Sequence, residues 1–287
     1  MNNIKLMIIA LILCLSLCAC ASGGSGERID LGEISSQADT SADPSGGAEI
    51  IFDGARAEIN GSGASIKNYV LTVTEGGTYT LSGHLDGSVV VDVSKESKVE
   101  LRLAGLSVTS NETSAIYIKS ADKVTLTLVD GTENTFIDGE TYAYADDAEP
   151  SACIYSADDL EIEGEGILEV YAKCRNGIQT KNDLRIKGGN ITVTAPKNAL
   201  KGKDSVEISG GNINVTGAKD AIKSDNETEK GRGIVKITGG TLSLTCQDDG
   251  IQAFRSVEIS GGSITFNAGD EDINCDGDIT VDEACIN

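Results

Sequence analysis

The chain has 287 residues, with 45 Asp and Glu against 23 Lys and Arg, and a formal net charge of −22. Such a surface excludes a nucleic-acid backbone as partner, because phosphate binding needs clustered cations. It favours solubility outside the cell and the binding of cations.

The N-terminal stretch opens with Lys5 and runs through apolar residues from Leu6 to Ala19. It is shorter than the ~20 apolar residues a membrane span needs, and residues 1–19 read as a secretory signal peptide. Its end, Leu17-Cys18-Ala19-Cys20, resembles a bacterial lipobox, with Cys20 as the residue that receives lipid. Cleavage by the ordinary signal peptidase is the alternative. Residues 20–48 are rich in Gly, Ser, Asp and Ala and read as a flexible tether. The expected protein is thus a cell-surface lipoprotein, attached to the membrane through its lipid only, with one folded domain over 49–287.

Residues 69–73, 78–82, 88–93, 98–103 and 124–129 alternate apolar with polar and are rich in Val, Leu and Thr. That is the strand period of two, broken by Gly, Asn and Asp turns. From Ile154 onward a longer period appears. Ile154, Ile178, Leu200, Ile222, Ile251 and Ile273 recur at separations of 24, 22, 22, 29 and 22. Leu160, Leu184, Val206, Val257 and Ile279 follow six residues after five of them. Gly188-Gly189, Gly210-Gly211, Gly239-Gly240 and Gly261-Gly262 then each precede an alternating strand. A fixed period of this length marks stacked repeats. The expectation is an all-β right-handed parallel β-helix, a solenoid of ~22-residue rungs with about three strands and three turns each.

Stacking would bring equivalent residues together. Two positions before each opening Ile or Leu stand Asn176, Asn198, Asp220, Asp249 and Glu271; three before stand Arg175, Lys197, Lys219, Asp248 and Asp270. Asp220, Asp248, Asp249, Asp270, Glu271 and Asp272 are therefore expected on one corner. Crowded carboxylates repel, and a hard cation with six to eight oxygen ligands relieves that. Calcium is the expected ion, with a solvated acidic face as the bland alternative. Insertions around 139–150 and 225–233 are expected as loops, and the second could add ligands. Residues Asp272 to Glu283 also match an EF-hand-like loop, although Ile273 and Ile279 fit the last rung equally well.

Catalytic motifs are scarce. His84 is the sole histidine and reads as a turn residue; no GxSxG, HExxH or P-loop occurs. Lys201 and Lys223 share one slot on adjacent repeats, where they could bind an anionic sugar, balance acids, or act as base in a cation-assisted β-elimination. The chain has no Trp, and Tyr142, Tyr144, Tyr155 and Tyr171 are the candidates for stacking on sugar rings. Cys153, Cys174, Cys246, Cys275 and Cys285 contain no CxxC and read as small core residues rather than a zinc or redox centre.

Several motifs carry a family resemblance: Gly77-Thr78-Tyr79-Thr80-Leu81-Ser82-Gly83, Asp130-Gly131-Thr132-Glu133-Asn134-Thr135, Ile154-Tyr155-Ser156-Ala157-Asp158-Asp159-Leu160 and Asp249-Gly250-Ile251-Gln252-Ala253. Over about residues 49–280 the chain resembles bacterial carbohydrate-binding domain-containing proteins with a polysaccharide-lyase-like right-handed β-helix, found in clostridial surface lipoproteins. The resemblance implies binding of cellulose or acidic, pectin-like sugars, calcium in the fold, and no established catalysis. The Asp-Gly-Ile positions carry over as metal ligands. The functional expectation is a calcium-stabilised, non-catalytic polysaccharide-binding protein. The alternatives are a pectate-lyase-like polysaccharide lyase with calcium and a Lys base, and a structural or adhesive surface protein.

Overall fold

A computed structural model of the chain describes residues 46–143 and 149–287. The signal segment, Cys20 and Tyr144 lie outside the described residues. Apart from one 3-10 turn at Glu283–Cys285, the described secondary structure is all β. The first strand, Gly46–Gly54, takes in residues 46–48, which the sequence had placed in the tether.

The alternating stretches form Val70–Val73, Gly77–Asp86, Ser88–Asp92, Lys98–Thr109 and Lys123–Leu128. The apolar ladder is in register. Ile116, Ile154, Ile178, Leu200, Ile222, Ile251 and Ile273 pair in succession on parallel neighbours. All but Ile273 are fully buried. A second ladder runs Leu160, Leu184, Val206, Val235, Val257, Ile279, and a third Leu168, Ile191, Ile213, Leu242, Ile264. Ile279, at the last strand, is half exposed; burying each of the core side chains is worth about 1.5–3 kcal/mol. The ladders meet in one core.

The expected right-handed parallel β-helix of three-strand rungs is corrected by the sheet organisation. The strands form two sheets, one of ten strands and one of fifteen, closed about the common core. Long strands fuse faces that short ones would have kept apart. Ile234–Cys246 pairs with both Ser205–Ile208 and Asn212–Ala218, and Lys98–Thr109 pairs with both Lys123–Leu128 and Glu133–Ile137. The repeat also fails at the start of the domain, where Gly46–Gly54 with Arg56–Ser62, and Ala64–Lys67 with Val70–Val73, are antiparallel hairpins. The EF-hand alternative falls as well, since Ile273–Cys275 and Asp278–Val281 continue the two sheets in register.

The glycine pairs explain how these faces meet. The second member of each pair, Gly189, Gly211, Gly240 and Gly262, has φ between +91° and +97°, where side chains are disfavoured. The first member is needed for a different reason. A Cβ on Gly210 would lie 2.4 Å from the Lys187 carbonyl oxygen of the preceding layer, and one on Gly261 2.3 Å from that of Thr238.

Polar residues inside the stack are satisfied by backbone groups. Asn134 is fully buried. Its Oδ1 accepts from the amides of Gly105 (3.0 Å) and Leu106 (2.9 Å), and its Nδ2 donates to the Ile167 carbonyl (3.0 Å). One side chain thus joins three layers. On the outer face of the larger sheet, Glu161, Arg185, Glu207, Lys236 and Glu258 pair in succession, an alternating-charge ladder. Burial pushes the Glu161 carboxyl up, but Lys187 at 2.8 Å and Lys123 at 3.4 Å outweigh it and hold it below the usual range.

Two measurements follow from this packing. Asn134→Ala removes the partner of the buried Leu106 amide, the half-buried Gly105 amide and the Ile167 carbonyl and is expected to cost about 2–4 kcal/mol in denaturant unfolding; a cost under ~0.5 kcal/mol would show that the three-layer bridge is not stabilising. A depressed carboxylate contributes stability above its unfolded pKa that disappears as pH falls through the folded value. Glu161→Gln is therefore expected to melt about 2–4 °C below the parent at pH 7, with the gap closing below about pH 4. A pH-independent gap would contradict the assignment.

Candidate functional site

Because successive side chains of a strand point to opposite faces, the residue after each buried ladder Ile faces outward. In the ten-strand sheet that outward row is Tyr117, Tyr155, Gln179, Lys201, Lys223, Gln252 and Asn274, each paired with the next. Neighbours in the row stand about 4.8 Å apart. Tyr155 and Tyr117 meet edge to face with centroids 5.8 Å apart, and Tyr155 is nearly covered. Burial, reinforced by the Glu149 charge, raises the Tyr155 hydroxyl pKa. Lys201 Nζ reaches Asp225 Oδ2 at 2.6 Å. Lys223 Nζ reaches Asp220 Oδ2 at 3.1 Å and also contacts Gln252 Oε1. Beside this row lies a cavity of about 340 Å³ lined by Ser151, Tyr155, Gln179, Lys201 and Asp225 among others.

The acidic corner adjoins the Lys223 end of the row. Asp220, Asp248 and Asp249 bring one carboxylate oxygen each within 4.8 Å of one another. Asp220 is fully buried and Asp249 nearly so. Layer stacking enforces this: the Ala221 amide donates to the Asp249 carbonyl at 3.0 Å, and the Asp248 amide to that of Lys219 at 2.9 Å. Asp249 Oδ2 accepts from Asn274 Nδ2 at 2.9 Å. Lys219 Nζ lies 2.8 Å from Asp248 and 3.8 Å from Asp220 Oδ1. The Asp248 hydrogen bond, and then the Asp220 charge, raise the Lys219 ammonium pKa. Asp220 Oδ1 and Asp249 Oδ1 are nonetheless buried with no hydrogen-bond partner. Orphaned carboxylate oxygens are costly in a low-dielectric site. Three carboxylates this close could supply part of the oxygen set of a hard cation such as Ca²⁺.

The other residues expected here lie outside that group. Asp270, Glu271 and Asp272 are exposed. Their backbone continues the stack, with the Glu271 and Asp272 carbonyls accepting from the amides of Gly250 and Ile251. Asp225, expected as an added ligand, binds Lys201 instead. The same insertion returns Arg232 to Asp183 (3.3 Å) and Asp204 (3.6 Å), neutralising a second carboxylate stack. Tyr142 is anchored: its hydroxyl donates to Asp138 Oδ2 (2.7 Å) and the Arg175 guanidinium covers its ring at 4.5 Å. Tyr171 is 37% exposed on the larger sheet, apart from the lysine row. Gln179, Gln252 and Asn274 were not singled out from the sequence, although their place one residue after each ladder Ile would have marked them.

Comparison with known proteins places this geometry in a family. The family model of carbohydrate-binding domain-containing proteins matches residues 67–285. A carbohydrate-binding domain-containing protein of Acetivibrio thermocellus is 40% identical over 201 residues, a match spanning 67% of this chain and 66% of that protein's length. A solved structure described as the polysaccharide lyase-like protein from C. thermocellum, in a gadolinium derivative, is similar with TM-score 0.82 and 43% identity. That match covers 84% of this chain and 98% of the solved one. With the matched region taking in both sheets, the lysine row and the acidic corner, the chain belongs to the carbohydrate-binding domain-containing family.

Proposed function

We propose that this is a cell-surface lipoprotein that binds an acidic, pectin-like polysaccharide along the outward row of the ten-strand sheet, with Ca²⁺ at Asp220, Asp248 and Asp249. The observation that carries the reading is the pair of orphaned oxygens, Asp220 Oδ1 and Asp249 Oδ1, beside the row that holds Lys201 and Lys223. A linear polyuronate presents one carboxylate per sugar. Lysines one layer apart match such spaced anions, and amide side chains on either side of them suit hydroxyl groups. Bound Ca²⁺ would neutralise the acidic corner and could share its remaining positions with sugar carboxylates. Both lysines are held by carboxylates, and the reading takes them as ligands rather than bases.

The expected outcome is retention of the protein on immobilised polygalacturonate in Ca²⁺ and release by EDTA. Saturating Ca²⁺ should raise the melting temperature, about 2.7 kcal/mol of stabilisation at 100 times Kd. The double variant Asp220→Asn, Asp249→Asn should lose that rise, and Lys201→Ala with Lys223→Ala should weaken retention tenfold or more while keeping it. Equal melting in Ca²⁺ and EDTA would remove the ion from the proposal. Anchoring is tested separately: Cys20→Ser should abolish incorporation of labelled fatty acid and shift the protein from the detergent phase to the aqueous phase. Labelling that survives the substitution would sink the anchor.

A further inference from the structure

The hairpin joining Ala64–Lys67 to Val70–Val73 has a two-residue turn, since Lys67 pairs with Val70. Its central residues, Asn68 at φ 50° and Tyr69 at φ 65°, are the non-glycine residues with positive φ among those described. A tight hairpin with both φ positive favours Asn-Gly. Asn tolerates the left-handed region; Tyr does not. This chain therefore sets an aromatic ring where turn chemistry calls for glycine.

The ring is not used to fill the core. Tyr69 is 58% exposed, the most exposed of the large hydrophobic side chains among the described residues. Its backbone is fixed from below. The Ser88 amide donates to the Tyr69 carbonyl at 3.1 Å, and Gly87 packs so closely that a Cβ there would lie 1.8 Å from that oxygen. Tyr69 lines a cleft of about 410 Å³ together with Asn68, Asp86, Ser110, Asn111 and Glu112. That volume lies in the usual range for small-molecule sites. Asp86, Asn111 and Glu112 are exposed at its rim. Among the described residues, no lysine or arginine lines it.

An anchored aromatic face ringed by carboxylate and amide groups is the chemistry that grips a sugar: the ring covers the C–H face and the polar groups take the hydroxyls. Asp86 meets the His84 ring at 2.9 Å, and with no lysine or arginine beside them Asp86 and Glu112 disfavour a uronate, a sulfate or a phosphate. We propose that Tyr69 is the stacking platform of a second glycan site, specific for a neutral sugar unit, with Asp86, Asn111 and Glu112 as hydroxyl partners. Seven strand positions of the ten-strand sheet separate Val70–Val73 from Ile251–Ala253, about 34 Å at ~4.8 Å each. The site is thus independent of the acidic corner. It rests on the family's carbohydrate binding and not on calcium.

The test is calorimetric titration in EDTA with cellohexaose, mannohexaose and xylohexaose. Wild type is expected to bind at least one of them. Tyr69→Gly relieves the backbone and is expected to keep or raise the melting temperature while losing about tenfold or more in affinity. Tyr69→Phe is expected to retain most of the binding, and Glu112→Ala to lose several-fold. Polygalacturonate retention in Ca²⁺ should be untouched by Tyr69→Gly, which separates this site from the one proposed above. Silence of wild type toward all three oligosaccharides, or unchanged affinity in Tyr69→Gly, would overturn the proposal.

Discussion

Parallel, in-register pairing of strands about 4.8 Å apart makes each residue the neighbour of its counterpart one repeat away. For apolar positions this costs nothing: Ile178 on Leu200 on Ile222 is both the pairing register and the core. For charged positions it is a constraint. Like charges in one column would repel through a medium that screens poorly once the column is partly covered.

The chain meets that constraint in different ways at different columns. On the larger sheet the signs alternate from Glu161 to Glu258, so stacking itself supplies the partner. Where Asp183 and Asp204 stand close together, the 225–233 insertion brings Arg232 to both. At Asp220 and Asp249, Lys223 and Asn274 each meet Oδ2, while neither Oδ1 has a hydrogen-bond partner and Lys219, bonded to Asp248, stands 3.8 Å from that of Asp220. The contrast sets this corner apart: two lysines, Lys219 and Lys223, stand against three carboxylates, and two buried oxygens keep no hydrogen-bond partner.

Much of this was legible in the sequence. The 22-residue recurrence gave the register of Ile154 through Ile273, and the Gly pairs gave their corners, because both depend on local residue type and count. Val235 was missed in its ladder because the insertion displaces it from the six-residue offset seen elsewhere. The merging of faces was not legible. Nothing in the composition of Ile234–Cys246 says that its strand continues through Gly239-Gly240 while Ser205–Ile208 stops short of Gly210-Gly211. The acidic corner was legible as a column but not in depth. Burial selects Asp220 and Asp249 and leaves Asp270, Glu271 and Asp272 in solvent at the end of the stack, a difference the repeat pattern does not carry. Tyr69 escaped notice because it precedes the periodic region, and its turn becomes unusual only once the hairpin register is known.

The glycine corners have a consequence for how such a chain diversifies. At Gly210 and Gly261 the carbonyl beneath leaves no room for a methyl group, and at Gly211 and Gly262 the backbone sign forbids one. Substitution there is closed, whereas the outward row that runs through Gln179, Lys201 and Lys223 touches no corner. Replacement can therefore proceed residue by residue along that row without disturbing the backbone corners that hold the frame.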